Sequence, residues 1–193
     1  MAGVSTQLTR ERVLATARAQ LEREGVEHLS LRAVARELGV TAPALYLYVD
    51  DKRDLLAGVA EEHFERLVAR FEEIDDADPL ERIRGMCRAY VDHALASPAL
   101  FGLMFRYPPN PVPGADAFPP ATRAFQLAAR ATAEAIDAGL LAPADPDEAS
   151  TTMWCAVHGV ANVALMGFAG DEDGVAALAD RVIETVLAGQ ARA

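Results

Sequence analysis

Apolar residues recur every three to four positions along almost the whole chain, and polar residues occupy most of the positions between them. This spacing is typical of amphipathic α-helices, because residues three and four apart lie on the same face of a helix. No segment shows the strict alternation of apolar and polar residues, or the enrichment in β-branched residues, that strands favour. The pattern therefore predicts an all-α fold with about nine helices.

Capping residues divide the first part of the chain into four predicted helices. Ser, Thr and Asp are preferred N-caps because their side-chain oxygens accept hydrogen bonds from first-turn amides, and Gly suits the position after a helix. Asp51 followed by Asp54 has the spacing of a capping box at the start of a longer helix. The predicted helices run from Thr9 to Gly25, from Ser30 to Gly39, from Thr41 with Pro43 in its first turn, and from Asp51 to about Glu73.

The acidic stretch from Glu72 to Asp78 is predicted to separate two domains. The first comprises residues 1–53 with a connecting helix of about 51–73, and the second comprises residues 74–193. A proline-rich segment from Tyr107 to Pro120 breaks the second domain between its second and third helices, since proline disrupts a helix interior. The five helices predicted here are Pro79 to about Ala96, one that starts at Ser97-Pro98, one that ends at Gly139, Asp145 to about Phe168, and roughly Asp173 to Ala188.

The second and third helices are predicted to form a helix-turn-helix. Only three residues, Gly39 to Thr41, separate them, which is the spacing of that motif. Leu45 and Val49 lie four apart and are expected to pack against the second helix. The third helix of such a motif lies in the major groove of DNA. The residues that this packing turns outward are Thr41, Ala42, Ala44, Tyr46 and Leu47.

The charge distribution limits where nucleic acid can bind. The whole chain has a net charge of −11, which disfavours DNA binding if it is spread evenly. Residues 1–53 hold 8 basic and 7 acidic residues, whereas residues 54–193 hold 10 basic and 22 acidic residues. Contacts with DNA phosphates are therefore expected within the first 53 residues.

Two sequence blocks in this region resemble those of a known family. Ser-Leu-Arg-x-Val-Ala-x-x-Leu-Gly-Val starts at Ser30, and Leu-Tyr-x-Tyr-Val-x-x-Lys-x-x-Leu-Leu starts at Leu45. With them, residues 9–60 resemble the N-terminal domain of the TetR/AcrR transcriptional regulators. The resemblance implies a DNA-binding N-terminal domain and a helical C-terminal domain that binds a small molecule. It also implies a homodimer on a palindromic operator, acting by family habit as a repressor.

The resemblance also assigns roles to single residues. Tyr46 and Tyr48 resemble the family's phosphate-contacting positions, and Lys52 resembles its lysine at the start of the fourth helix. Phosphate contacts fix the register of a protein on DNA without reading its sequence. Arg32 resembles a residue that reaches a base, for which a bidentate bond to guanine is the natural use. An arginine at the start of a helix can equally be only solvated.

The third helix departs from the family pattern at Ala42 and Ala44, where polar side chains often occur. Their methyl groups can contact thymine but cannot donate hydrogen bonds, so base reading is expected to rest on Arg32 and DNA shape. Thr41 can serve as a helix cap, a phosphate contact, or both. The predicted DNA-binding residues are Arg32, Thr41, Ala42, Pro43, Ala44, Tyr46, Leu47, Tyr48 and Lys52.

The C-terminal half carries a second resemblance, to the Trp-His-Gly signature of one C-terminal subclass, at Trp154, His158 and Gly159. Trp154 and His158 share a helix face, which fits a hydrogen-bonded core pair, a ligand cavity or the dimer seam. The effector site is expected to be an apolar cavity with few polar groups, which Gly159→Leu should fill. Its predicted lining is Met86, Tyr90, Leu103, Met104, Tyr107, Phe125, Met153, Trp154 and His158.

The last two predicted helices are candidates for the homodimer interface. Two symmetric recognition helices are needed to bind two half-sites on DNA, and these two helices carry more apolar residues than one-sided burial requires. The candidate residues are Val157, Val160, Ala161, Ala164, Leu165, Leu178, Val182, Val186 and Leu187.

Cysteine and histidine positions do not predict a metal or redox site. Cys87 and Cys155 form no paired motif and are expected to be small core residues. His63, His93 and His158 lie on different predicted helices, at spacings that give no support for a metal site. No metal and no cofactor are predicted.

Function is predicted by exclusion as well as by resemblance. None of the phosphate-binding, nucleophile-elbow or zinc-protease motifs that mark common enzymes occurs, so the chain is predicted not to be an enzyme. We expect a cytoplasmic, ligand-responsive transcriptional regulator that binds a double-stranded DNA operator and a small, largely apolar effector, without a membrane segment. The alternative is a helical small-molecule-binding protein whose DNA reading is weakened or lost.

Overall fold

The computed structural model describes residues 7–106 and 119–191. Within these ranges it has nine α-helices, no strand, and one isolated β-bridge between Leu141 and Ala191. No helix there is long and apolar enough to cross a bilayer. The predicted all-α fold is confirmed. The helices are α1 (Arg10–Glu24), α2 (Leu31–Leu38), α3 (Ala42–Leu45), α4 (Lys52–Glu72), α5 (Pro79–Ala96), α6 (Pro98–Arg106), α7 (Pro119–Asp137), α8 (Pro146–Leu165) and α9 (Glu172–Gln190).

Side-chain caps begin several helices where the sequence predicted them. Thr9 caps α1 and Ser30 caps α2, each by accepting a hydrogen bond from an amide of the first turn. The Asp51 carboxylate accepts a hydrogen bond of 2.8 Å from the Asp54 amide at the start of α4. Such caps satisfy amides that have no partner within the helix. Further caps are Asp78 at α5 and Asp145 at α8.

The bounds of α8 and α9 differ from the prediction by a few residues. α8 ends at Leu165, before the predicted end near Phe168, because Gly167 adopts a φ of +79°, which a right-handed helix does not allow. α9 begins at Glu172, because the Asp171 carboxylate accepts a hydrogen bond from an amide one turn later.

The chain forms two compact units. The first consists of the described residues of Met1–His63 and Ala99–Pro113, and the second of those of Phe64–Pro98 and Gly114–Ala193. α4 therefore contributes residues to both units.

The first unit has a core built from α1, α2, α3 and the start of α4. Val34, Leu45 and Leu55 are fully buried within it. Gly58 allows α4 to approach α1 closely, since a Cβ at this position would lie 2.8 Å from Leu14 Cδ2. This packing gives α2 and α3 a rigid support.

In the second unit, α5, α7, α8 and α9 pack against one another. Ala135, Ala161 and Ile183 are fully buried at these contacts. Exposed ion pairs add about 1 kcal/mol or less each, so apolar packing holds this unit together. The ion pairs between these helices are Arg84–Glu184 and Arg88–Asp180, from α5 to α9, and Arg82–Glu134, from α5 to α7.

Candidate DNA-binding and effector sites

α2 and α3 form a helix-turn-helix in the first unit. The turn begins at Gly39, whose φ of +70° lies in the left-handed region that favours glycine. Leu45 and Val49, only 0% and 2% exposed, fix α3 and the turn after it to the core. Because these side chains point inward, the opposite side of α3 faces away from the core.

The outward side of α3 exposes residues that the sequence assigned to DNA contact. The exposed fraction is 57% for Tyr46 and 82% for Leu47. Pro43 is also exposed, and Ala42 and Ala44 are half-buried. The outward surface is therefore mostly apolar, apart from the hydroxyl groups of Tyr46 and of the exposed Thr41.

α3 is shorter than the sequence suggested. The helix ends at Leu45, and the next three residues form a turn in which the Tyr48 amide donates to the Leu45 carbonyl at 2.8 Å. Thr41 occupies the N-cap position, but its side chain makes no cap hydrogen bond. Of the two roles predicted for the Thr41 hydroxyl, the cap is absent and the phosphate contact stays a prediction.

Two predicted phosphate ligands make hydrogen bonds within the chain. The Tyr48 hydroxyl donates to the Leu8 carbonyl at 2.8 Å, and Lys52 Nζ donates to the Val26 carbonyl at 3.2 Å. An ammonium group has three hydrogens to donate, whereas a phenol has one. Lys52 can therefore bind a phosphate without losing its present bond, but Tyr48 must exchange partners.

Arg32 lies in the first turn of α2 and is exposed. Its guanidinium makes no hydrogen bond or ion pair with the residues that the structure describes. The side chain is thus free to extend toward a ligand of the first unit.

Arg10, which the sequence analysis did not single out, joins three parts of the first unit. Its guanidinium donates to the Tyr48 carbonyl and to both carboxylate oxygens of Asp54, at 3.1 and 3.3 Å. The Asp50 amide also donates to Asp54, at 2.9 Å. The Arg10 guanidinium, with help from that amide, holds the pKa of Asp54 below its usual value. The start of α1 and the start of α4 thereby fix the turn after α3.

Replacing Asp54 by Asn is expected to lower the free energy of unfolding by about 1 kcal/mol at pH 7, because the bonded groups are partly exposed. Since the folded state lowers the pKa of Asp54, its stabilising effect is present above the unfolded value, about 3.9, and is lost as pH falls further. Urea unfolding of wild type and variant at pH 7 and pH 3 measures this.

Asp50→Asn is the matched control, since the exposed Asp50 carboxylate acts on Arg10 only through its charge and the Asp50 amide keeps its hydrogen bond to Asp54. A destabilisation by Asp54→Asn that is equally large at pH 3, or is matched by Asp50→Asn, would contradict the role given to the Arg10 ion pair.

In the second unit, a chain of hydrogen bonds joins α5 to α8. The Trp154 indole donates to the Tyr90 hydroxyl at 3.1 Å, and that hydroxyl lies 2.7 Å from His158 Nδ1. Tyr90 is only 5% exposed, whereas Trp154 is 41% exposed. The sequence left three environments open for Trp154 and His158: the core, a ligand cavity or the dimer seam. Because Trp154 is partly exposed, the two residues are not a fully buried core pair.

Burial keeps the acidic and basic groups of this cluster neutral. It raises the pKa of the Tyr90 hydroxyl and lowers the pKa of His158. The Tyr90 hydroxyl accepts a hydrogen bond from the Trp154 indole and shares a second hydrogen bond with His158 Nδ1. We name these three residues the Tyr90 cluster. It presents polar atoms beside a half-exposed indole, as a site for a small apolar ligand requires.

The other predicted lining residues are distributed over both units. Met86 and Met153 are buried in the second unit, where Phe125 is half-buried. Leu103 and Met104 are buried residues of α6, which belongs to the first unit. Tyr107 lies outside the described residues. Among the lining residues that the structure describes, side-chain hydrogen bonds join the three members of the Tyr90 cluster.

Gly159 lies on the outer side of α8, so the prediction that Gly159→Leu fills a cavity is wrong. A Cβ added at Gly159 would meet no atom within 4 Å. Cys155, one turn earlier, is exposed, contrary to the expectation of a core residue. The reason is that α8 turns Met153 and Val157 inward, which points Cys155 and Gly159 the other way.

Cys87 is a core residue as expected. It is buried, and burial raises the pKa of its thiol to about 12.

An exposed row of small and apolar residues runs along α8. Cys155, Gly159 and Val163 lie four residues apart, and Val163 is 38% exposed. We name this row the α8 ridge. Among the predicted dimer residues, several are instead buried in the core of their own chain and have no surface for a partner. These are Val157, Val160, Ala161 and Leu187.

The remaining candidates keep part of their surface. Those that are half-buried are Ala164, Leu165, Leu178, Val182 and Val186. The described residues contain no group of three or more His, Cys, Asp or Glu side chains that could hold a metal ion.

Two family descriptions match the sequence. Residues 13–59 match "Bacterial regulatory proteins, tetR family", and residues 83–186 match "Tetracyclin repressor-like, C-terminal domain". The second match alone covers more than half of the chain. The chain belongs to the TetR family, whose members are DNA-binding transcriptional regulators and not enzymes. The Trp-His-Gly subclass stays a prediction.

Individual relatives agree with this assignment. An HTH-type transcriptional regulator of Mycobacterium tuberculosis, Rv0681, is 28% identical over 182 residues, which span 91% of this chain and 79% of the relative. HTH-type regulators of Staphylococcus aureus are 33% identical over 67 residues, about a third of each chain.

Solved structures share the fold. A protein of unknown function from Rhodococcus sp. RHA1 is 30% identical and superposes with a TM-score of 0.87 over 100% of both chains. RolR, solved with the ligand resorcinol, is 23% identical, with a TM-score of 0.66 over 91% of this chain and 86% of its own.

Proposed function

We propose that this chain is a homodimeric, effector-responsive repressor that binds a palindromic operator through α2 and α3. The observation that carries the proposal is the outward side of α3, which is fixed to the core by Leu45 and Val49, together with the exposed Arg32 on the neighbouring helix α2. We assign DNA binding to residues 1–53 and connection to the helix at about 51–73. Effector binding and dimerisation are assigned to residues 74–193.

The proposed DNA contacts divide into two kinds. Thr41, Tyr46 and Lys52 bind phosphates, because hydroxyl and ammonium groups donate to phosphate oxygens. Tyr48 joins them only by giving up its bond to Leu8. Arg32 donates to a guanine edge in the major groove.

Selection of duplexes from a random pool by the full-length protein tests this proposal. Two symmetric recognition helices should enrich an inverted repeat whose half-sites lie about one helical turn, or 10 base pairs, apart. A selected pool without any enriched sequence, or with a single unrepeated motif, would contradict the proposal. The former result would favour a small-molecule-binding protein that has lost DNA reading.

We place the effector at the Tyr90 cluster. A small, largely apolar molecule can stack on the half-exposed Trp154 ring and exchange hydrogen bonds with Tyr90 or His158. Trp154 is the only tryptophan in the sequence, so its fluorescence reports on this site alone.

Tyr90→Phe is expected to weaken effector binding about tenfold, because it removes the hydroxyl that joins Trp154 to His158 and that we propose as a hydrogen-bonding partner of the effector. Titration of small phenols, beginning with the resorcinol bound by RolR, while following Trp154 emission measures this. Tyr46→Phe, outside the second unit, is the control. A different effector site would be indicated by a phenol that releases wild type and Tyr90→Phe from the operator equally well and does not change Trp154 emission.

Coupling between effector and operator is proposed to pass through α4, since α4 contributes residues to both compact units. Thermodynamic linkage then requires that DNA weaken effector binding by the same factor by which the effector weakens DNA binding. The dimer is proposed to form through α8 and α9, with the α8 ridge at the contact, since exposed apolar rows mark interfaces.

A further inference from the structure

Several residues on the outward side of α3 and in the turn after it have no hydrogen-bonding side chain. Pro43 lies in α3 and Leu47 in the turn that follows it, on either side of the buried Leu45 in the chain, and both are exposed. The half-buried Ala44 lies next to them. We name Pro43, Ala44 and Leu47 the α3 tip. Thr41 and Tyr46, which carry hydroxyl groups, are exposed next to these residues in the chain.

An apolar tip is suited to one feature of the major groove. Every base pair presents donors or acceptors there, but the thymine C5-methyl is the only methyl group among the base edges. Apolar side chains placed against donors and acceptors would remove them from water without replacing their hydrogen bonds. Placed against a thymine methyl, the same side chains bury apolar surface on both partners.

Exposed basic residues of the first unit, which outweigh the exposed Asp50 and Asp51 near α3, favour duplex DNA as the occupant of this surface. Arg32 at the start of α2 and Lys52 and Arg53 at the start of α4 are exposed in the same compact unit. Residues 1–53 carry a slight positive balance, whereas the rest of the chain is strongly acidic. An apolar tip in a unit that also exposes cations suits methyl-bearing base edges between two rows of phosphates.

We propose that Leu47, supported by Pro43 and Ala44, reads thymine methyl groups, so that each operator half-site presents thymine to the α3 tip. This inference rests on the proposed function, because it requires that α3 enter the major groove. Leu47 is then a specificity-determining residue. It recognises thymine through its methyl group, whereas Arg32 recognises guanine through hydrogen bonds.

Deoxyuridine substitution tests the inference, because deoxyuridine differs from thymidine only by the missing methyl group. In the operator selected from the random pool, each symmetric pair of half-site thymines is replaced in turn, and affinity is measured by fluorescence anisotropy. Loss of one buried methyl per half-site is expected to weaken binding roughly tenfold at one or two positions. Thymines outside the half-sites serve as controls.

Leu47→Ala identifies the residue that contacts the methyl group. The variant should bind the unmodified operator roughly tenfold more weakly and should lose most of its sensitivity to deoxyuridine at the same position. Leu140→Ala, at another exposed leucine in the second unit, is the matched control and should bind both duplexes as wild type does. Since Leu47 is 82% exposed, the variant should fold normally, which its thermal unfolding verifies.

The outcomes separate the inference from the proposed function. A selective operator that tolerates deoxyuridine at every half-site thymine, or that has no half-site thymine, would overturn the inference and leave the proposed function intact. Deoxyuridine sensitivity that is unchanged in Leu47→Ala would also overturn it. Failure to select any operator would instead count against the proposed function.

Discussion

Gly159→Arg is expected to convert the dimer into monomers and to weaken operator binding by at least a hundredfold or so, because two linked half-site contacts gain about 10²–10⁴ in affinity over one. Gly159 lies on the α8 ridge between Cys155 and Val163, and its position has open space within the chain. An arginine there is accommodated in the monomer but projects a long charged side chain into the proposed contact. Sedimentation velocity and anisotropy measure the two effects.

Gly102→Arg is the matched control for this variant. Gly102 is also an exposed helical glycine around which a Cβ would meet no atom within 4 Å, but it lies on α6. Both substitutions replace glycine by a residue with higher helix propensity, so neither should unfold the chain. A dimer that persists in Gly159→Arg, with unchanged operator affinity, would show that the α8 ridge lies outside the interface.

Arg32→Ala is expected to lower the ratio of operator affinity to scrambled-duplex affinity by about a hundredfold, because one guanine contact is lost in each half-site. Phosphate contacts remain in the variant, so its binding to the scrambled duplex should change only by the small effect of one charge. Anisotropy titrations on the two duplexes at one salt concentration measure both affinities.

Arg36→Ala provides the comparison for Arg32→Ala. Arg36 is exposed, lies one turn later on α2 and carries the same charge. It should lower binding to both duplexes by a similar small factor. Equal losses of selectivity in the two variants would mean that Arg32 acts through charge and not through a base contact.

The elements of this fold could be predicted because their signals are local. Thr9, Ser30 and Asp78 each cap the helix that their position suggested, since a cap needs only a side-chain oxygen and the amides of the next turn. The glycine turn before α3 is equally local. The family blocks around Ser30 and Leu45 placed the helix-turn-helix, and the family assignment is confirmed.

Burial was harder to predict where it depends on the orientation of a helix about its own axis. Cys87 and Cys155 are the same residue type, yet one is buried and the other exposed. In a helix as apolar as α8, the sequence does not reveal which face packs against the core of the chain and which face is exposed to solvent. For the same reason Gly159 was assigned to a cavity, although the position faces outward.

Contacts between distant residues could not be read from the sequence at all. Arg10 and Asp54 are 44 positions apart, and Tyr90 and His158 are 68 positions apart. Each pair requires two helices to meet at a particular height and rotation, which tertiary packing decides. The sequence did place Tyr90, Trp154 and His158 in one predicted site, but it gave no sign of the hydrogen bonds that order them.

The central claim is that α2 and α3 bind duplex DNA selectively. Fluorescence anisotropy of the wild-type protein on the selected operator and on a scrambled duplex of the same composition, between about 50 and 200 mM salt, tests it most directly. The account predicts operator binding at least about a thousandfold tighter than scrambled binding, and affinities that fall steeply as salt rises. Equal affinity for the two duplexes, or operator binding that does not change with salt, would contradict the account.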